Sequence, residues 1–114
     1  MAELREPHRL ILTLCSEDQT GLWFVIPHVK DFYRGDDAES IKARTLGVLR
    51  DLLEARLIHA GHPTSDGKGF VPWKTSIESV MVRIGKEWDA LGHEPNIGEI
   101  AWFAATPEGD RLLN

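Results

Sequence analysis

Cysteine is almost missing from this chain. Its one copy, Cys15, has no partner for an internal disulfide and lies in the apolar run LILTLC. Residue type and context make it a small buried hydrophobe rather than a nucleophile. Long apolar runs are missing as well. The longest, Leu22 to Ile26, falls far short of the roughly 20 residues that a membrane span needs. The opening MAELREPHR has no apolar h-region, so no secretory signal is expected. These features suit a reducing cytoplasm. Positive charge is also scarce, with 13 Lys and Arg against 18 Asp and Glu, a net charge of −5. Non-specific nucleic-acid binding draws its affinity from neutralising phosphates, so this balance weighs against it. A local basic face remains compatible with the balance, but a basic protein partner fits it better.

Motifs that carry chemistry are lacking in the same way. Gly67-Lys68-Gly69 does not fit G-x-x-x-x-G-K-[ST], and a strand rather than a helix is predicted after it, so a hairpin tip is the better reading. None of Ser16, Ser40, Ser65, Ser76 and Ser79 sits in a G-x-S-x-G elbow. His59 and His62, with Asp66 nearby, would point to opposite faces of a strand and have no cysteine to complete a zinc site. Glu87, Asp89 and Glu94 read as a solvated face, because Arg83 and Glu87 stand at i, i+4 spacing. No catalytic residue, metal or cofactor is therefore assigned, and the expectation is a protein without enzymatic activity.

What the chain does contain is an ordinary globular composition, 42% hydrophobic and 27% charged over 114 residues, enough for one domain with one core. Leu10, Ile11, Leu14 and Cys15 predict a helix over about Pro7 to Cys15, followed by a polar loop from Ser16 to Gly21. Leu22 to Ile26 is ambiguous. Because Ile26 precedes a proline, a short extended piece is favoured, with a helix from about Pro27 to Arg34; a single longer helix stays open. Gly35 ends that helix. Asp36 or Asp37 caps the next and longest helix, whose stripe is Leu46, Leu49, Leu53 and Leu57, widened by Val48 and Leu52.

Leu57 to Ala60 then reads as a strand, Gly61 to Gly69 as an exposed loop, and Phe70 to Trp73 as an extended piece. Pro72 confines that piece to an edge or a strand end. Thr75 and Glu78 match a capping box ahead of Ile77, Val80, Met81, Ile84, Trp88 and Leu91, the cleanest helical pattern in the chain, closed by Gly92. Ile100 to Ala105 reads as a strand, and Thr106-Pro107 as the start of a last helical turn.

This order of elements resembles a winged helix-turn-helix domain. LRDLLEARLIHAG (Leu49 to Gly61) resembles the end of that superfamily's recognition helix and its first wing strand. AWFAATPEGDRLL (Ala101 to Leu113) resembles its common ending, a wing strand running into a T-P-x-G-x-x-L-L helix start. The resemblance implies an α+β, winged-helix-like fold over residues 1–114, with about four main helices and a small antiparallel sheet. It departs from the pattern where a helix at about 75–91 separates the wing strands.

On that resemblance, Glu39, Ser40, Lys42, Ala43, Arg44 and Gly47 fall on or near the DNA-reading face. Its charge is mixed: over Asp36 to Arg56, Lys42, Arg44, Arg50 and Arg56 meet Asp36, Asp37, Glu39, Asp51 and Glu54, where a DNA reader gathers more positive charge. Size, acidity and an altered scaffold resemble a second group, the small acidic immunity proteins of bacterial contact-dependent growth inhibition.

Two functions from different classes follow. The first is a protein-binding module, an immunity or inhibitor protein that masks a basic toxin or similar partner, with Asp36, Asp37, Glu39 and Asp66 supplying charge. Phe70 or Trp73 would supply an exposed aromatic anchor, although a shared aromatic core is the preferred reading of Trp23, Trp73, Trp88 and Trp102. The alternative is a DNA-binding regulator using Lys42, Arg44 and Arg50.

Overall fold

A computed structural model of the chain describes residues 4–114. Five helices and four strands follow one another as α1 (His8–Glu17), β1 (Thr20–Gly21), α2 (Leu22–Phe32), α3 (Ala38–Glu54), β2 (Ile58–Pro63), β3 (Phe70–Pro72), α4 (Ile77–Leu91), β4 (Trp102–Ala105) and α5 (Pro107–Leu113). The strands form one antiparallel sheet in the order β1-β4-β2-β3. This is the α+β class with a small antiparallel sheet that the sequence predicts.

Helix α1 buries Ile11, Leu12 and Cys15, while Leu10 of the expected stripe is turned outward at 37% exposure. The Cys15 environment fixes its chemistry. Burial pushes the thiol up to about 12, against a weaker downward pull from its hydrogen bond with Thr20. The thiolate is the reactive form, so the native protein is expected to resist Ellman's reagent at pH 8 and to react stoichiometrically once denatured. Rapid labelling of the native protein would overturn the buried placement.

Residues Thr20 and Gly21, expected in a loop, are instead a strand, with Thr20 paired to Phe103 and Gly21 to Trp102. The expected extended piece over Leu22 to Ile26 is also corrected: Leu22 to Phe32 is one helix with Pro27 inside it. Leu22, Val25, Ile26 and Val29 are all at 0% exposure. Burial of four such side chains, at about 1.5–3 kcal/mol each, outweighs the roughly 3 kcal/mol cost of an interior proline.

Helix α3 begins where expected. Asp37 is the N-cap, its Oδ1 accepting from the Ser40 N–H at 2.8 Å. Its buried face is Ile41, Thr45, Val48, Leu49, Leu52 and Leu53, slightly rotated from the predicted stripe so that Leu46 is only half-buried. At its far end Arg56 takes a left-handed φ of 60°. The Leu57 N–H bonds the Leu52 carbonyl and the Arg56 N–H bonds the Leu53 carbonyl, both at 3.0 Å. That closure turns the chain directly into β2.

Strand β2 runs past its predicted end to Pro63, because Gly61, His62 and Pro63 pair with Pro72, Val71 and Phe70. Gly61 is needed for close approach: a Cβ there would lie 2.1 Å from the Val71 carbonyl oxygen. Pro72 sits on the edge strand β3, where it removes no ladder bond of an inner strand.

Helix α4 buries Val80, Met81, Ile84 and Trp88 and ends at Gly92, φ 70°. Its cap is Ser76, not Thr75. The Ser76 Oγ accepts from the Ser79 N–H at 3.1 Å, and Glu78 reaches Arg50 on α3 instead of folding back. Strand β4 lies between β1 and β2, and Phe103 at its centre is at 0% exposure. Thr106 caps α5 as predicted, accepting from the Gly109 N–H at 3.0 Å while donating to the Arg56 carbonyl at 2.7 Å. No helix among the described residues is long and apolar enough to cross a membrane.

Candidate functional site

The Tyr33–Asp37 corner joins the end of α2 to the start of α3. The C-terminal end of α4 packs beside it. Together they wall a cleft of about 630 Å³. Lys30 and Tyr33 come from α2, Arg34 and Asp36 from the corner, Glu39 and Lys42 from α3, and Trp88, Asp89, His93 and Glu94 from α4 and the residues after it.

The cleft is built on paired charges. Lys42 bonds Asp89 and lies 5.8 Å from the Trp88 ring centroid. Lys30 pairs with Glu94 across the mouth. Arg44 donates through Nε to Asp36 Oδ2 at 2.6 Å, and its guanidinium stacks 3.9 Å from the Tyr33 ring centroid. The bond to Asp36 raises the Arg44 pKa further above its ordinary value. Asp37 is held below the usual carboxylate range by its bonds from Ser40. Among the described residues, Glu39 and Arg34 make no ion pair. Residues 31–39 carry Asp31, Asp36, Asp37 and Glu39 against Arg34 alone, so the lip of the cleft is acidic.

The structure divides the expected partner-binding residues between two places. Asp36 and Glu39 line the cleft, and Asp37 lies between them in sequence. Asp66, Phe70 and Trp73 belong to the β2–β3 hairpin. The Asp66 Oδ1 accepts from Thr64 Oγ1 at 2.6 Å and from the Lys68 N–H at 3.0 Å, so it organises its own turn. Those bonds hold its carboxyl below the ordinary value. Phe70 is half-buried. Trp73 is half-buried too, donating its indole N–H to His62 Nδ1 at 2.8 Å, with the Arg83 guanidinium 3.7 Å from its ring centroid. It walls a second hollow of about 490 Å³ with Leu53, Ala60, Ile77 and Val80. The four tryptophans do not form one aromatic core: Trp23 and Trp102 meet edge to face at 4.6 Å, while Trp73 and Trp88 stand in the two separate hollows.

The basic residues of the DNA reading are all engaged. Lys42 is held by Asp89, Arg44 by Asp36, and Arg50 by Glu78 at 3.1 Å. The bond to Glu78 raises the Arg50 pKa. Ala43, Leu46 and Gly47 of α3 share a shallow groove with Met81 and Val82 of α4. The inserted helix therefore lies along the α3 face that the resemblance assigns to DNA. Tyr33, Trp88, Asp89 and Glu94 are cleft residues that sequence reasoning did not select as partner-binding. Asp89 is 47 positions from Lys42, and no local pattern announces that pairing. The chain matches no known protein family, no curated protein and no solved structure.

Proposed function

We propose that this protein is a non-enzymatic binding module that masks a basic protein partner, in the manner of an immunity or inhibitor protein. The observation that carries the reading is the acidic lip of the α2–α3–α4 cleft, with aromatic walls at Tyr33 and Trp88. A partner's lysine or arginine entering there would meet Glu39, which has no ion-pair partner among the described residues, and two ring faces of the kind that attract cations. The placement of β4 between β1 and β2, with α2 and α3 connecting β1 to β2, supports the winged-helix resemblance. The inserted α4, with its carboxylates on Lys42 and Arg50, supports a scaffold used for protein rather than DNA.

A titration separates the readings. A synthetic peptide alternating Arg and Leu is expected to quench tryptophan fluorescence at low salt, to weaken as salt rises, and to lose about tenfold in affinity on Glu39→Lys. Duplex DNA of matched charge is expected to give no saturable signal. Saturable DNA binding that is lost in Lys42→Ala with Arg44→Ala, together with indifference to the peptide, would reverse the assignment.

A further inference from the structure

Helix α2 carries an apolar ridge on its outer side as well as its buried face. Phe24 and Phe32 are 49% and 51% exposed. His28 stands midway between them in sequence, with its ring 5.2 Å from that of Phe24. Two half-exposed phenylalanines on one helix are costly to leave in water, and solvent-facing apolar ridges of this kind mark contact surfaces.

The spacing of the ridge says what fits it. Phe24, His28 and Phe32 are four apart, the row along which one helix seats against another. The row reads the same in both directions about His28. A twofold axis through His28 therefore lays Phe24 of one copy beside Phe32 of the other, as a self-complementary interface requires. Charge selects the same direction. Leu22 to Pro27 carry no charge, and the charged residues of α2, Lys30 and Asp31, both lie in its second half. Antiparallel copies set charged halves against neutral ones. Parallel copies would set Lys30 on Lys30 and Asp31 on Asp31. We infer that a second copy of this chain covers the ridge, forming an antiparallel α2–α2 homodimer with His28 at its centre. This inference is independent of the function of the acidic cleft.

Sedimentation velocity from micromolar to millimolar protein tests it. The weight-average mass is expected to rise toward twice the monomer value. Phe24→Asp and Phe32→Asp are each expected to raise the dimer dissociation constant by about tenfold or more. Val71→Asp, at another exposed apolar position on β3, is expected to leave it unchanged. His28→Cys places a thiol on the axis and is expected to give a covalent dimer under mild oxidation, because facing helices bring such positions within disulfide reach; the buried Cys15 does not compete. A monomer at every concentration overturns the proposal. So does a dimer indifferent to both aspartates, or one in which His28→Cys fails to cross-link.

Discussion

Phe103→Ala is expected to remove about 3–5 kcal/mol of stability, a large share of the roughly 5–15 kcal/mol that holds a domain of this size together. Phe103 is fully buried on β4, the strand that joins the two halves of the sheet. Its registered neighbours are Thr20 on β1 and Ala60 on β2. Both are small and fixed by their own ladders, so neither can move into the space left by the ring. Helix α1 closes the same side, and Ile11 and Leu12, both at 0% exposure, have no freedom to follow. The cavity therefore stays open, and its cost adds to the lost transfer energy. Phe70→Ala is the matched control. That ring sits half-buried on the edge strand β3, and its loss is expected to cost about 1 kcal/mol. Urea unfolding followed by circular dichroism measures both. Equal midpoints for the two variants would mean that β4 is not the centre of the sheet.

The sequence announced helix ends more clearly than strands. Asp37, Gly92, and Thr106 with Pro107 each act where their chemistry placed them, since a cap needs only one or two residues in the right order. The cap before α4 slipped by one position because Thr75 and Ser76 are both competent, and only the path of the backbone chooses between them. Leu22 to Ile26 misled for a different reason. The local preference of a residue before proline is worth less than four buried side chains, and that burial is a tertiary fact. Strand β1 was illegible because two residues contain no period; only the waiting edge of β4 makes Thr20 and Gly21 a strand.

The candidate site divides along the same line. Its acidic lip was visible because Asp36, Asp37 and Glu39 are neighbours in the chain. Its other wall was not, because Trp88, Asp89 and Glu94 arrive from a helix whose core pattern says nothing about which neighbour it packs on. The balanced charge of α3 was read correctly as a count, but the count did not show that carboxylates from α4 neutralise Lys42 and Arg50. Asp66 failed to join the lip for a simpler reason. A short polar turn consumes its own carboxylate in local hydrogen bonds, so formal charge there is not free charge.

Trp88→Ala carries the second large effect, and it differs from the first in kind. Trp88 is 8% exposed, at the end of the buried row Val80, Met81, Ile84 and Trp88 by which α4 rests on the core. Truncating a ring so placed is expected to cost about 3–5 kcal/mol. The loss falls on an element that pairs with no strand and is joined to the sheet only through the segments at its two ends. Helix α4 packs on α3, so it can lift while β1, β4 and β2 stay paired. Amide exchange is the deciding measurement. In Trp88→Ala the amides of α4 are expected to exchange through a local opening much faster than those of β4 and α3. In Phe103→Ala all three are expected to lose protection together. If Trp88→Ala instead collapses both sets equally, α4 is part of the central cooperative unit, and the view of it as a helix added onto an older sheet-and-helix scaffold falls. Opening α4 also removes Asp89 from Lys42 and Glu78 from Arg50 while dismantling the Trp88 wall of the cleft. The same variant is therefore expected to lose the Arg–Leu peptide even where its sheet remains folded. That coupling follows from one geometric fact: the helix that neutralises the basic side of α3 also completes the acidic cleft.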